Sequence, residues 1–136
     1  MPNINDLIPQ REPMIMLDAF FWATDSEACT GLTVADDNLF CGEGFFTEPG
    51  LIEHIAQSAS AFAGYQAKIA GRPVPIGLIG EVKKFRINFL PCTNSKLCTH
   101  LRIISEVFNV TLISAETKVN DSIAAEGLMK IYVKQP

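Results

Sequence analysis

Glu48-Pro49-Gly50-Leu51-Ile52-Glu53-His54-Ile55-Ala56-Gln57-Ser58-Ala59-Ser60-Ala61-Phe62-Ala63-Gly64-Tyr65-Gln66-Ala67-Lys68-Ile69-Ala70 is the stretch that decides the fold. It reads as one long helix. Pro49 suits the first turn, where its missing N–H goes unused. Glu48 and Glu53 place negative charge at the positive end of the helix dipole. Gly71 and Pro73 supply the stop. No charged residue occurs from Ile55 to Ala67, so no polar face is reserved for solvent and other structure must wrap most of the rod. Ala56, Ser58, Ala59, Ser60, Ala61, Ala63 and Gly64 are small and admit close neighbours. The first turn differs, because it carries Glu53 and His54, with Gln57 one turn beyond Glu53. A carboxylate at the start of a buried helix is expensive unless paired or used.

Outward from the helix, the chain reads as strands. Met14 to Ala23 is apolar apart from Asp18 and rich in aromatic and β-branched residues, which favours a buried strand. Thr24-Asp25-Ser26 is a turn, and Glu27 to Asp36 alternates as a second strand. Gly42 and Gly44 permit unusual backbone just before the helix. Beyond it, Ile76 to Leu90 reads as a strand with Lys83, Phe85, Ile87 and Phe89 on one face. Lys96 to Val107, Val110 to Val119 and Ile123 to Lys134 follow, joined by short turns at Phe108-Asn109 and Asn120-Asp121-Ser122. Consecutive strands with turn-length connections imply an antiparallel sheet. One helix apolar nearly all round then predicts an α+β fold, a curved antiparallel sheet wrapped around one long central helix.

The bulk numbers narrow the function classes. One domain over residues 1–136 is the natural count. Net charge is -4 and pI about 5.1, which disfavours a nucleic-acid partner. A mean hydropathy of +0.20 is high for a small soluble domain, and predicts either a generous core or apolar surface covered by another subunit. Cys29, Cys41, Cys92 and Cys98 form no Cys-x-x-Cys pair and the two histidines lack ligand spacing, so neither a metal nor a cofactor is expected. The uncharged stretch is shorter than the ~20 residues a membrane span needs. The opening Met1-Pro2-Asn3-Ile4-Asn5-Asp6 lacks a leader pattern, and the expected setting is soluble, reducing and cytoplasmic.

Three motifs in order resemble the hot-dog fold 3-hydroxyacyl-(acyl-carrier-protein) dehydratases. Leu7-Ile8-Pro9-Gln10-Arg11-Glu12-Pro13-Met14-Ile15-Met16-Leu17-Asp18 is similar to the family opening, with Gln10 where histidine is usual. Pro49-Gly50-Leu51-Ile52-Glu53-His54-Ile55-Ala56-Gln57 resembles its helix start, two residues shorter before the glutamate. Gly80-Glu81-Val82-Lys83-Lys84-Phe85-Arg86 resembles the strand after the helix. The family's Gly-His-Phe-Pro, with its catalytic histidine, is replaced by Phe40-Cys41-Gly42-Glu43-Gly44-Phe45-Phe46. The chain is thus most similar to a divergent branch lacking that histidine, some of which accompany aryl-polyene or other polyketide-like pathways.

The resemblance implies acyl-thioester chemistry on an acyl-carrier protein or coenzyme A, and an active site between two protomers. A homodimer is expected by that resemblance, with a higher oligomer or a heterodimer with a paralogue as the alternatives. Dehydration needs a base at the carbon beside the thioester, a stabiliser for its oxygen and an acid for the leaving hydroxyl. Glu53 is the candidate acid–base carboxylate. The alternative is a surface carboxylate facing the dipole. Gln57 either orients Glu53 or bonds backbone. Glu43 and His54 are the residues on offer for the missing histidine's role, although a solvated loop residue and a core or interface histidine are the commoner readings. Gly50 and Leu51 at the helix start, where free N–H groups could hold an oxygen, and Phe45 and Phe46 before it, are the candidate substrate-binding residues. Lys83, Lys84 and Arg86 are candidates for carrier-protein contact, or else a solvated strand face. The aromatic residues hint at a bulky or unsaturated acyl chain. A hot-dog thioesterase and a non-catalytic acyl-binding partner subunit are the competing functions.

Overall fold

The computed structural model describes residues 3–134. Helix α1 spans Glu48–Ile69. Pro49 lies in its first turn, as the sequence predicts, and Ala70 caps its end, with Gly71 beyond it at φ 70. Around it lie β1 (Ala19–Ala23), β2 (Glu27–Thr33), β3 (Cys41–Gly42), β4 (Phe45–Phe46), β5 (Ile76–Ile87), β6 (Lys96–Val107), β7 (Val110–Val119) and β8 (Ser122–Lys134). Six of these form one antiparallel sheet in the order β1-β2-β6-β7-β8-β5. The chain enters at one edge, passes through α1, and re-enters at the opposite edge. The small strands β3 and β4 pair with each other, and Phe45 forms an isolated antiparallel bridge with Cys92.

The helix buries residues on nearly every side, from Gly50 and Leu51 to Ala67. Two apolar clusters hold it. One joins Ile55, Ala59 and Phe62 to Phe20, Leu101, Ile113 and Met129. The other joins Leu51 to Phe46, Met16, Val34 and Leu97 around the helix start. Each fully buried Leu, Ile, Phe or Met side chain in them contributes about 1.5–3 kcal/mol relative to exposure.

Three local expectations change. The strand expected from Met14 begins only at Ala19, because the main chain of Met14 and Met16 bonds helix side chains instead of a neighbouring strand. Residues 41–46 form a tight hairpin with Glu43 at φ 53 and Gly44 at φ 84, the paired positive angles that a two-residue hairpin turn requires. In β5, strict alternation fails. Lys83 pairs with Leu128 and Arg86 with Glu126, so Lys84 and Phe85 on β5 oppose the single residue Gly127 on β8. The extra residue is a bulge, with Lys84 at φ 50. It moves Lys83 off the face of Phe85 and Ile87 and onto that of Arg86, leaving those two hydrophobic side chains against the core.

Gly64 sits where α1 meets the N-terminal segment. A Cβ there would lie 2.6 Å from the Leu7 carbonyl oxygen, a backbone atom with little room to yield. Alanine for glycine within a helix ordinarily stabilises by roughly 0.5–1 kcal/mol. Gly64→Ala is expected to do the reverse and destabilise by about 1–3 kcal/mol through overpacking, read as a lower urea midpoint. An unchanged or raised midpoint would show that the segment moves away freely.

Candidate functional site

Beyond Glu48, the first three turns of α1 carry the polar side chains Glu53, His54 and Gln57, and each has a different fate. Glu53 is half-buried, whereas His54 and Gln57 are fully or almost fully buried. At about 100° per residue, Glu53 and Gln57 share one flank and His54 faces another.

Gln57 is a three-way clamp. Its Oε1 accepts from the Met16 N–H at 2.7 Å. Its Nε2 donates to the Met14 carbonyl at 2.8 Å and to Glu53 Oε2 at 2.8 Å. The backbone partners fix the amide's orientation, so Glu53 is presented with an N–H donor. Among the described residues Glu53 Oε1 has no hydrogen bond.

His54 closes a second clamp on the same segment. Its Nδ1 lies 2.7 Å from the Met16 carbonyl oxygen, which only accepts, so Nδ1 carries the proton. In the neutral ring Nε2 then accepts from the Thr99 hydroxyl at 2.8 Å, and Thr99 accepts from Thr117 at 2.8 Å. Burial pushes the His54 pKa down to about 4, against the upward pull of the Met16 carbonyl. His54 is therefore neutral at pH 7, has no free nitrogen, and reaches no surface of the chain. Its place is structural, and the catalytic role considered for it does not fit this geometry. His100 is on the outer face of the sheet, 2.7 Å from Glu27.

The remaining candidates scatter. Glu43 is exposed at the tip of the β3–β4 turn. Phe46 and Leu51 are core side chains at 0% exposure, while Phe45 is exposed. Gly50 is packed so closely that a Cβ would meet the Phe46 ring at 2.6 Å and Phe40 Cβ at 2.7 Å. It lets the helix start descend onto that aromatic pair. Arg86 bonds Glu126 at 3.2 Å, and Lys83 lies 4.0 Å from Glu81, so this face mixes signs and the expected basic concentration is interleaved with acid.

Sequence reading missed Thr99 and Thr117, and with them the Thr30–Ser58 hydroxyl pair at 2.8 Å. The signal was present. Thr30, Thr99 and Thr117 each stand on the inward, apolar side of an alternating strand, between Ala28 and Leu32, Leu97 and Leu101, and Ala115 and Val119. A polar side chain buried there needs a hydrogen-bond partner, which is Ser58 for Thr30, His54 for Thr99 and Thr99 for Thr117.

A family model for the ApeP dehydratase matches residues 2–135. The chain belongs to the ApeP-like dehydratase family. Among solved structures, the dehydratase heterocomplex ApeI:P from Xenorhabdus doucetiae aligns with a TM-score of 0.91 at 18% identity, covering 100% of this chain and 92% of that one. The PaaI protein of the Escherichia coli phenylacetic acid degradation operon aligns at 0.69 and 9% identity, over 84% of this chain and 81% of that one. A hypothetical thioesterase from Streptococcus pneumoniae, solved with coenzyme A, also reaches 0.69, at 7% identity over 85% and 84%. No curated protein matches the chain. At these identities the structures establish the hot-dog fold, and the family model establishes the dehydratase family.

Two outcomes test the clamps. Gln57→Met removes a buried amide and leaves the Met16 N–H and Met14 carbonyl unpaired, at about 1–3 kcal/mol for each group. Urea unfolding should show a loss of about 2 kcal/mol or more. For His54, the unfolded chain titrates near 6.5 and the folded chain near 4. Between these values the unfolded chain holds more protons, so stability rises with pH. The contribution is complete above pH 6.5 and drains as pH falls towards 4, by about 3 kcal/mol in total. A His54→Gln variant should lack that slope, and a slope equal to wild type would reject the assignment.

Proposed function

We propose that this chain is a dehydratase subunit acting on a 3-hydroxyacyl thioester, with Glu53 as a proton-transferring carboxylate. The carrying observation is the pairing of Glu53 Oε2 with Gln57, which leaves Oε1 free at a half-buried helix start. Elimination breaks the C2–H bond, whose electrons form the C2=C3 double bond, and the C3–O bond, whose oxygen leaves with a proton as water. A positioned carboxylate serves either proton transfer. The Leu51 N–H is taken by the Thr47 carbonyl at 3.0 Å, and the positive end of the helix dipole is what suits the charge that develops on the thioester oxygen.

The second acid–base group comes, in this reading, from another subunit. Both histidines of the chain are committed elsewhere, His54 to Met16 and Thr99 and His100 to Glu27. Glu43 sits exposed on a separate hairpin. A half-site of this kind suits a heterodimer with a histidine-bearing paralogue, and the similarity to a chain of a dehydratase heterocomplex supports it. The substrate is carried on an acyl-carrier protein or coenzyme A, in a cytoplasmic fatty-acid or polyketide-like pathway.

The test is a dehydration assay with 3-hydroxyacyl thioesters, on the chain alone and mixed with a histidine-bearing homologous subunit. The mixture should turn over. Glu53→Gln should lower kcat by roughly 10²–10⁴, the usual span of general acid–base catalysis. Wild-type turnover by that variant would remove Glu53 from the chemistry. Release of free thiol without an enoyl product would instead identify a thioesterase.

A further inference from the structure

The outer face of the sheet carries two thiols that dehydration does not use. Cys29 on β2 and Cys98 on β6 lie 69 positions apart in the chain, yet their sulfurs are 3.4 Å apart. The register explains the meeting. Thr30 pairs directly with Thr99, and both side chains are buried on the inner face. Successive strand residues alternate in side, so Cys29 and Cys98 point outward and lie diagonally across that pair. Diagonal neighbours remain within reach of each other's side chains.

The two thiols differ in access. Cys29 is only 9% exposed. Its neighbours on β1 and β6 are Trp22 and His100, whose ring centroids lie 5.8 Å apart. Burial first, and then the hydrogen bond and charge of Cys98, push the Cys29 thiol up to about 12, so it stays protonated at neutral pH. Cys98 is exposed. Its neighbours are Gly31, which has no side chain to cover it, and Lys118, a cation shared with Glu116 at 3.6 Å. An accessible sulfur in contact with a buried, protonated one has the layout of an attacking thiol and a resolving thiol.

We propose that Cys98 and Cys29 form an oxidation site that takes a peroxide and closes to a disulfide between β2 and β6. The Cys98 thiolate attacks one oxygen of hydrogen peroxide. An S–O bond forms, the O–O bond breaks, and the departing hydroxide takes a proton and leaves as water. The Cys29 sulfur then attacks the sulfenic sulfur of Cys98. The S–S bond forms, the S–O bond breaks, and the second hydroxide leaves as water with the Cys29 proton. The two sulfurs give up two electrons, and the peroxide takes both. Closing the sulfurs from 3.4 Å to the roughly 2.05 Å of a disulfide asks for rotation of the exposed Cys98 side chain and a small slide of β2 along β6. The bridge ties together the strands whose next residues, Thr30 and Thr99, hold Ser58 and His54 of the helix. The site does not depend on the dehydratase reading.

Treatment of the folded wild-type chain with hydrogen peroxide, followed by alkylation in denaturant and peptide mapping by mass spectrometry, tests it. The chain should become two hydrogens lighter, and one peptide pair should join Cys29 to Cys98 until dithiothreitol separates it. The bridged form should unfold at a higher urea concentration than the reduced form, because the link constrains the unfolded chain. In Cys29→Ser the reaction should stop at the Cys98 sulfenic acid, trapped as its dimedone adduct. Cys29→Ala replaces that variant if it fails to fold. Bridging of Cys98 to Cys92, to Cys41 or to a second chain, or a Cys29 that remains fully alkylated, overturns the proposal. Absence of the Cys98 adduct in a folded Cys29 variant overturns the order of attack, and an unchanged urea midpoint overturns the tie between the strands.

Discussion

The grip of two helix side chains on residues 14–16 is the constraint from which the rest follows. This segment leads into β1, yet it pairs with no strand. Its polar main chain would be orphaned in an apolar setting, and a buried unpaired amide group costs about 1–3 kcal/mol. Gln57 takes the Met14 carbonyl and the Met16 N–H, and His54 takes the Met16 carbonyl. The same amide holds Glu53. Packing of the N-terminal segment and presentation of the carboxylate are therefore one event, and neither can be altered without the other.

This arrangement explains why so polar a helix start tolerates burial. The Met16 carbonyl and the Thr99 hydroxyl, itself bonded to Thr117, take both nitrogens of the His54 ring, so the imidazole is saturated in its neutral form. A ring in that state cannot exchange protons with a substrate. The sheet holds His54 as a fastener, and the neighbouring Glu53 carboxylate keeps one oxygen without a hydrogen bond among the described residues.

Irregularities place the remaining surfaces. The bulge at Lys84 turns β5 so that Phe85 and Ile87 reach the core and Lys83 joins Arg86 near Glu81 and Glu126. The hairpin of residues 41–46 stacks Phe46 and Phe40 against Gly50, which seats the helix start. Both devices depend on positive φ at residues other than glycine, Glu43 and Lys84. A pattern-based reading does not anticipate those positions, because side-chain alternation assumes an unbroken pleat.

Much was legible in the residues alone. An uncharged run from Ile55 to Ala67 can exist only inside a wrapping layer, so the central helix and curved sheet followed from solvation and from the spacing of turns. The limits of β6 and β7 followed from their alternation, and Glu53 stood out as a carboxylate in an apolar element. Only the tertiary structure decided what each polar residue touches. His54, Thr99 and Thr117 are up to 63 positions apart in the chain and meet because β6 and β7 cross the helix there. Hydrogen bonding is short-ranged and directional, whereas the patterns a sequence displays report only which side of an element is wet. The sequence therefore reveals that a polar group is buried, and the fold chooses its partner.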